Sequence, residues 1–445
     1  MTYMYLVKSK EYSIINHDDY TPKGCIADHI LADVVKKNGG SNPEKQKKIL
    51  GLHLHENKPK LHWFVGLVWL DLDKNIALQV TPKIENISAF RMYLKCLSDP
   101  IVSSNLDETI DFWADEPFIK VDNKEIDMEI NPLIITRYLQ LLKDLCKRHL
   151  RHSYKKRDEN LTGRIRGRPN IPAHISSNVS CGRLDRMFCN FSYNTLDNTF
   201  NQILKAALEQ CLKWLRNCPY DNMQTLWDMA AYCASSLNSV SIRPISTLDF
   251  KGIRYSGFLK PYREPHKWAR LVLECFGYDP LKEMLNIKDT VLPPFAIDMN
   301  MLFERYCEVY LRKYNNIWVG YKNLSGKFSV CPDYLVYDGY KKWIIDAKYK
   351  VNWPNKEHRE DIYQVLAYSR HQKVLKMLDE LQSTYKTHDT YETGEQLKIL
   401  IMYPCSDSCL DWENFNLDLE TCTDLEYELT IKIGHIKIPL PARNV

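Results

Sequence analysis

The sequence has no apolar run long enough to cross a membrane, and its opening MTYMYLVKSKEYSII has none that would serve as a signal peptide. We therefore expect a cytoplasmic protein with no membrane partner. Low-complexity tracts are also absent, and 44% hydrophobic with 26% charged residues is the composition of ordinary folded domains. The 445 residues are enough for two or three domains with cores of their own.

Two further absences concern metal-binding cysteines and nucleotides. The 14 cysteines include no CxxC pair, and 14 in 445 residues is far from the density of a disulfide scaffold. The phosphate-binding pattern GxxxxGK[ST] is missing, since Tyr321 replaces its first glycine and Phe328 its final hydroxyl residue around Gly326 and Lys327. We expect reduced, mostly buried cysteines and no nucleotide bound by this chain itself.

The net charge of +4 is too small to indicate a nucleic-acid-binding protein, but positive charge is concentrated locally. Residues 147–168 contain nine Lys or Arg and only two acids. Clustered cations of this kind release counterions from a phosphate backbone, although a solvated helix end and loop is the alternative. The predicted DNA-binding residues in this run are Lys155, Lys156, Arg157, Arg164, Arg166 and Arg168.

The hydrophobic pattern predicts a multi-domain α/β chain with three regions. Residues 1–127 form a β-rich N-terminal domain, in which two apolar runs within 63–84 flank a turn signal and predict a hairpin. Residues 128–292 form a helical middle region. Residues 293–445 form a mixed α/β domain.

The same pattern places elements inside the second and third regions. In the middle region, helices are predicted over 131–157, within 189–215 and near 221–237, with the basic loop TGRIRGRPN after the first. The predicted elements of the last region are a helix over 298–314, strands over 328–337 and 342–350, a helix over 360–375, and strands over 397–404 and 428–440. This order favours a mixed sheet with helices packed on it.

The stretch CPDYLVYDGYKKWIIDAKYK, residues 331–350, carries two aspartates and a lysine between apolar residues. Its Asp-Gly pair predicts a hairpin turn. With a two-residue loop, Asp333 lies opposite Ile344, two positions from Asp346. With a four-residue loop, Asp333 lies directly opposite Asp346. Both registers put Asp333, Asp346 and Lys348 on one face, because side chains alternate along a strand.

Two carboxylates on a partly covered face are costly unless a cation binds between them. We expect Mg²⁺ or Mn²⁺, held by Asp333, Asp346 and the backbone carbonyl of Ala347. Lys348 would then orient a water or stabilise charge on a phosphate, while the metal polarises the phosphate and lowers the pKa of its bound water. The alternative is a solvated hairpin with an Asp–Lys cross-strand pair.

The arrangement P-D-x(n)-D-x-K resembles the PD-(D/E)xK nuclease superfamily. In that superfamily an acidic residue on the preceding helix contacts the metal through water, and the resemblance implies this role for Glu304, with a solvent-facing Glu as the alternative. Gln364 and Tyr368 are spaced i and i+4, so they project from one helix face. They resemble the QxxxY motif that flanks the site in RecB-like branches. The resemblance implies that all three belong to the catalytic site.

Three segments outside the hairpin resemble one family. WFVGLVWLDLDKNIALQVTPKI resembles the N-terminal strand pair of McrC proteins, and GRIRGRPNI followed by CNFSYNTLDNTFNQILKAAL resembles their middle segment. With DAKYK and DIYQVLAYS, the resemblance spans roughly residues 60 to 375. McrC is the nuclease subunit of McrBC-type, methylcytosine-dependent restriction systems, and LlaJI-like proteins are relatives. For Asp197, Asn198 and Asn201 in the middle segment, we expect only helix capping by Asp197 or Asn198.

The resemblance implies a metal-dependent endonuclease acting on double-stranded DNA together with an McrB-like hexameric AAA+ GTPase. It also implies that the N-terminal domain, residues 1–127, is finger-like, enters the motor and stimulates GTP hydrolysis. Two alternatives stay open. One is a self-sufficient PD-(D/E)xK restriction or repair nuclease, and the other is a non-enzymatic regulator of a GTPase with an inactive nuclease fold.

Overall fold

The structure, a computed structural model, forms two compact units: Met1–Glu129 with Asp289–Val445, and Ile130–Lys288. No helix of the described residues is long and apolar enough to span a membrane. The residues that the structure describes are 5–15, 20–21, 47–55, 58–73, 75–113, 116–122, 130–218, 223–276, 289–314, 316–320, 331–351, 359–383, 397–405, 412, 414–424 and 433–442.

The N-terminal part of the first unit is built around a mixed sheet. Its elements are β1 (Tyr5–Lys10), β2 (Tyr20–Thr21), β3 (His53–His55), β4 (Lys58–Lys60), β5 (Phe64–Asp71), β6 (Ile76–Thr81), α1 (Ala89–Leu97), α2 (Pro100–Ser103), β7 (Ile110–Phe112) and β8 (Ile119–Asp122). β5 and β6 form the predicted hairpin, and Asn75 takes a φ of 55° in its turn. β1 pairs with β6 in parallel, so both strands end at the same sheet edge.

The second unit combines helices with a small antiparallel sheet in the order β10-β11-β9. Its elements are α3 (Ile130–Lys147), β9 (Ser153–Thr162), β10 (Arg168–Pro169), α4 (Ile171–Ser177), β11 (Arg186–Thr195), α5 (Thr199–Arg216), α6 (Gln224–Ser236), α7 (Thr247–Phe250) and α8 (Arg263–Phe276). β9 and β11 pair along their whole length, from Arg186 opposite Thr162 to Thr195 opposite Ser153. Apolar residues of α3, α5, α6 and α8 are buried.

Two predictions for this unit were wrong in extent. The helix predicted over 131–157 ends at Lys147, near His149 with a φ of 74°, and residues 153–157 begin β9 instead. The segment 189–195 is strand, and the following helix begins only at Thr199. β9 is polar on both faces, so it lacks the apolar alternation that marks a half-buried strand.

The remainder of the first unit completes the N-terminal sheet and builds a second one. Its elements are β12 (Asp289–Leu292), β13 (Phe295–Asp298), α9 (Met299–Leu311), β14 (Asn316–Val319), β15 (Tyr334–Tyr337), β16 (Lys342–Ala347), α10 (Arg359–Ser369), α11 (Gln372–Ser383), β17 (Leu397–Cys405), β18 (Thr423–Asp424) and β19 (Ile433–Pro439). The sheet orders are β2-β1-β6-β5-β13-β7 and β14-β15-β16-β17-β19-β18. In the second sheet, β16, β17 and β19 are parallel.

The second sheet is covered by helices, as a mixed α/β fold requires. One apolar cluster joins sheet residues such as Leu335 and Ile344 to Val365 of α10 and Leu378 of α11. The helix predicted over 360–375 is two helices, because the helical conformation is interrupted at residues 370–371. Parts of the predicted strands 328–337 and 428–440 lie outside the described residues.

Candidate active site

We call the antiparallel pair of β15 and β16 the site hairpin. Its loop has four residues, 338–341, because Tyr337 pairs with Lys342. The Asp338 carboxylate closes it by accepting hydrogen bonds from the backbone N–H groups of Tyr340 (2.8 Å) and Lys341 (2.7 Å). Its second oxygen accepts from the indole of Trp343 at 2.6 Å. Of the two registers that the sequence left open, the structure therefore has the one with the longer loop.

This register brings the two aspartates together. Leu335 pairs with Ile344, and continuing this register past the start of β15 at Tyr334 places Asp333 opposite Asp346. Asp333 Oδ2 accepts a hydrogen bond of 2.7 Å from the backbone N–H of Ala347. Burial, together with the charges of Asp346 and of the α9 carboxylate Glu304, raises the pKa of Asp333 well above its usual value.

Asp346 is 1% exposed, and no donor of the described residues is placed to hydrogen-bond its Oδ1. Oδ2 lies 2.7 Å from Lys348 Nζ, so the two side chains form a buried, charge-assisted ion pair. Burial raises the pKa of Asp346 despite the opposing effect of Lys348. Burial alone would lower the pKa of Lys348, but the charges of Asp346 and Asp333 outweigh it and raise that pKa.

Glu304 lies on α9, half-buried beside this pair. Its pKa is raised to about 7, mainly by burial, with Arg305 opposing the change and Asp298 and Asp346 adding to it. The hydroxyl of Tyr334 donates a hydrogen bond to the Glu304 backbone carbonyl, which attaches α9 to the site hairpin. Glu304 thus lies within electrostatic range of the aspartates rather than facing open solvent.

Gln364 and Tyr368 lie on one face of α10, as their spacing predicts. Gln364 Nε2 donates to the Tyr368 hydroxyl at 2.5 Å, and Gln364 is exposed whereas Tyr368 is buried. The pKa of Tyr368 is raised to about 12, first by burial and then by the negative charge of Asp346. Tyr368 therefore closes the side of the site that α10 covers.

Two residues of the site were missed by the sequence analysis. Lys350 Nζ lies 2.8 Å from both carboxylate oxygens of Asp361, which is buried on α10. The charge of Asp361 contributes to raising the pKa of both Asp346 and Lys348. The signal was present in the sequence, because Lys350 continues the alternation of Asp346 and Lys348, and Asp361 precedes Gln364 by one helical turn.

The donor set suits a hard cation. In the described part of the chain, no group of three or more His, Cys, Asp or Glu side chains is arranged to hold a metal ion, so Glu304 does not complete a three-carboxylate set. Asp346 nevertheless has two buried oxygens, of which one is paired with Lys348 and the other has no donor among the described residues, and its charge acts on Asp333. Oxygen ligands of this kind fit Mg²⁺ or Mn²⁺, so these two aspartates are the residues that could hold one.

The predicted DNA-binding residues lie in the second unit. Lys155, Lys156 and Arg157 are on β9, Arg168 is on β10, and Arg164 and Arg166 lie in the connection between these strands. All are exposed except Lys155, which is half-buried. Lys155 Nζ lies 3.1 Å from Asp197 Oδ2, and the Arg166 guanidinium lies 4.4 Å from the ring centre of Phe191. The other basic side chains form an exposed positive surface.

The middle-segment residues of the sequence analysis are structural. Asn198 is the N-cap of α5 and accepts from the backbone N–H of Asn201 at 3.1 Å. Asn201 is fully buried, donates to the carbonyls of Arg151 and Leu196, and accepts from the Tyr262 hydroxyl at 2.8 Å. The capping prediction is confirmed for Asn198.

Comparison with known proteins gives one family. No curated protein matches the chain. One similar solved structure is a half-complex from a tetradecameric assembly of Thermococcus gammatolerans McrB AAA+ hexamers with bound McrC, at 17% identity and a TM-score of 0.40, covering 98% of this chain and 94% of that one. Another is the Thermococcus gammatolerans McrBC complex, at 16% identity and a TM-score of 0.32, covering 72% of this chain and 90% of that one. Scores this low do not establish a shared fold.

The family model matches far more decisively. The model described as McrBC 5-methylcytosine restriction system component matches residues 60–378, well over half of the chain. This range holds the hairpin of β5 and β6, the second unit and the site from Glu304 to Tyr368. The chain therefore belongs to the McrBC 5-methylcytosine restriction system component family, as its resemblance to McrC predicts.

Proposed function

We propose that this chain is the DNA endonuclease subunit of an McrBC-type, modification-dependent restriction system. It hydrolyses phosphodiester bonds at Asp333, Asp346 and Lys348 with Mg²⁺ or Mn²⁺. The observation that carries the proposal is the buried Asp346 carboxylate: Lys348 pairs with its Oδ2, no donor of the described residues reaches its Oδ1, and its charge raises the pKa of a second carboxyl, Asp333. Two carboxylates beside one lysine are costly unless a cation binds between them.

Each residue of the site has a role in this chemistry. Asp333 and Asp346 would hold the cation, which would supply polarisation of the phosphate and an activated water. The Ala347 backbone N–H fixes Asp333 by donating to its Oδ2, and the Ala347 carbonyl would be a further oxygen ligand. Lys348 carries a positive charge at neutral pH and stabilises negative charge on the phosphate.

The surrounding elements support a PD-(D/E)xK nuclease fold. Glu304 on α9 would contact the cation through water, as the resemblance implies, while Gln364 and Tyr368 flank the site from α10. A helix, the site hairpin, a second helix and a parallel central strand follow one another along the chain. This order agrees with the superfamily resemblance of the hairpin motif.

We further propose that the chain works with an McrB-like AAA+ GTPase hexamer. The family is that of a component of a restriction system, which implies other subunits. The sequence has no GxxxxGK[ST] of its own, so any nucleotide hydrolysis belongs to a partner. Residues 1–127 are proposed to contact the motor and stimulate its GTP hydrolysis. The exposed basic side chains between Lys155 and Arg168 are proposed to contact DNA phosphates or the motor.

Reconstitution tests the proposal. The purified chain is incubated with Mg²⁺ and methylcytosine-containing double-stranded DNA, alone and with an McrB-like GTPase and GTP. We expect little cleavage by the chain alone and cleavage once partner and GTP are added. Specific cleavage by the chain alone at the same rate would contradict the partner assignment and would favour a self-sufficient nuclease.

A further inference from the structure

A half-buried lysine beside the N-terminal sheet reaches the backbone just after β16. Lys83 belongs to the VTPKI segment, which carries the family resemblance but has no role in the proposed chemistry. It follows β6, and Glu11 follows the parallel β1, so both lie at the same edge of that sheet. The Lys83 backbone N–H donates to Glu11 Oε1 at 2.9 Å.

The Lys83 side chain extends from that edge to the site strand. Its Nζ donates a hydrogen bond of 2.6 Å to the backbone carbonyl of Tyr349, the residue after Lys348. The ammonium also lies 4.3 Å from the ring centre of Tyr12 and 4.2 Å from that of Tyr349. We call these four residues, Glu11, Tyr12, Lys83 and Tyr349, the Lys83 clamp.

Two residues of the Lys83 clamp are buried, Glu11 at 2% and Tyr349 at 3% exposed, while Lys83 is half-buried and Tyr12 is 39% exposed. Burial raises the pKa of Glu11 to about 7 and lowers that of Lys83 to about 8, and each partner opposes the shift of the other. A half-buried cation between two rings and a carbonyl is directed toward that carbonyl, because water competes for it less than in open solvent.

The Lys83 clamp contacts the backbone just after β16, where the chain leaves the second sheet. β16 ends at Ala347, and the Lys348 N–H still donates to the Met402 carbonyl at 2.8 Å. The Lys348 carbonyl accepts from the Lys350 backbone N–H at 2.8 Å, and the carbonyl after it, that of Tyr349, is the one that Lys83 binds. The Tyr349 ring also lies 5.8 Å from that of Phe303, the residue before Glu304. One lysine thus supports both the Lys348 backbone and the α9 turn that carries Glu304.

We propose that Lys83 is a positioning residue for the nuclease site, which sets the place of Lys348 by holding the Tyr349 carbonyl. This inference rests on the proposed function. It gives the VTPKI segment a role in the chemistry although that segment lies in the N-terminal sheet. Misplacing a reacting group by about 1 Å costs up to about a hundredfold in rate, so loss of the clamp should lower turnover and leave DNA affinity unchanged.

The test uses the reconstituted complex with the partner GTPase, GTP, Mg²⁺ and methylcytosine-containing DNA. The main variant is Glu11→Gln with Lys83→Met, which removes both buried charges together and so leaves neither unpaired. Lys83→Arg keeps a cation that can donate and stack. Lys341→Met is the matched control, because it breaks an ion pair of 2.6 Å with Glu420 at the loop of the same hairpin.

We expect the Glu11→Gln, Lys83→Met chain to lose about tenfold to a hundredfold in kcat, with KM for DNA and stimulation of GTP hydrolysis unchanged. Lys83→Arg should restore most of the rate, and Lys341→Met should cleave as the wild type does. Thermal melting of each chain checks folding. A Tyr12→Asn variant, which removes one ring at an exposed residue, should lower kcat about twofold to fivefold and serves if the double variant does not fold.

Three results would overturn the inference. The first is wild-type kcat in the folded double variant, or in Tyr12→Asn where that variant replaces it. The second is a rise in KM for DNA with kcat unchanged. The third is a loss of kcat in Lys341→Met equal to that in the double variant. A wild-type complex that does not cleave DNA overturns the proposed function and this inference with it. A cleaving wild type with an equally active clamp variant overturns only the role of Lys83.

Discussion

Asp346→Asn removes one negative charge from the candidate active site and changes the side-chain volume little. In the folded chain, this carboxylate is 1% exposed and its Oδ2 is paired with Lys348 Nζ at 2.7 Å. The Cβ atoms of residues directly opposite each other in an antiparallel pair lie about 5 Å apart, which approximates the distance from Asp346 to Asp333. Two ionised carboxylates there repel by about 3 kcal/mol at an effective dielectric constant of about 20.

The ion pair with Lys348 opposes this repulsion, but burial prevails and raises the pKa of Asp346. A carboxyl whose pKa is raised by folding stabilises the fold when protonated, and that contribution is lost as pH rises. At pH 7 without metal, Asp346→Asn should therefore be at least as stable as the wild type, because Lys348 keeps the charges of Asp333 and Asp361 near it. Its Tm should not fall below that of the wild type.

Adding Mg²⁺ or Mn²⁺ should reverse the order of the two proteins. A cation at about a hundred times its Kd stabilises the wild type by about 2.7 kcal/mol, and Asp346→Asn should lose most of this gain because it lacks one of the two carboxylates. Thermal melting with and without the cation measures both effects. A variant that melts below the wild type without metal, or that keeps the full metal-induced rise, would refute the site assignment.

Three further predictions concern the second unit. Burial lowers the pKa of His266 to about 4, so stability should fall by about 3 kcal/mol as pH drops from about 6.5 to 4, and His266→Gln should flatten that loss in acid titration melts. Asn201→Ala removes its hydrogen bond to the Arg151 carbonyl and leaves the Tyr262 hydroxyl without its acceptor, and should cost about 2–3 kcal/mol in denaturant unfolding; a cost under about 0.5 kcal/mol would contradict the contacts. Arg164→Ala should weaken binding of methylated and unmethylated DNA equally and reduce its salt dependence, and unchanged binding would assign this surface to the partner.

The candidate site was predictable because it depends on local rules. Alternation along one hairpin puts Asp333, Asp346 and Lys348 on a common face in either register. The i, i+4 spacing of Gln364 and Tyr368 does the same on a helix. The loop length was not predictable from spacing, since it depends on the Asp338 carboxylate accepting two backbone N–H groups inside the turn.

The parts that sequence reasoning missed depend on surroundings that spacing does not encode. β9 has polar residues on both faces, and its pairing with β11 over ten residues decides its structure. The contact between Lys83 and Tyr349 joins residues 266 positions apart in the chain. Such long-range contacts appear only once both sheets are formed.

The most direct test of the account is the double variant Asp346→Ala with Lys348→Ala in the complex with the GTPase partner. Cleavage of methylcytosine-containing DNA and GTP hydrolysis by the partner are measured in the same reactions. We predict that DNA cleavage is lost while stimulation of GTP hydrolysis is kept, because the change is confined to the candidate active site. DNA cleavage at the wild-type rate by this variant would contradict the central claim.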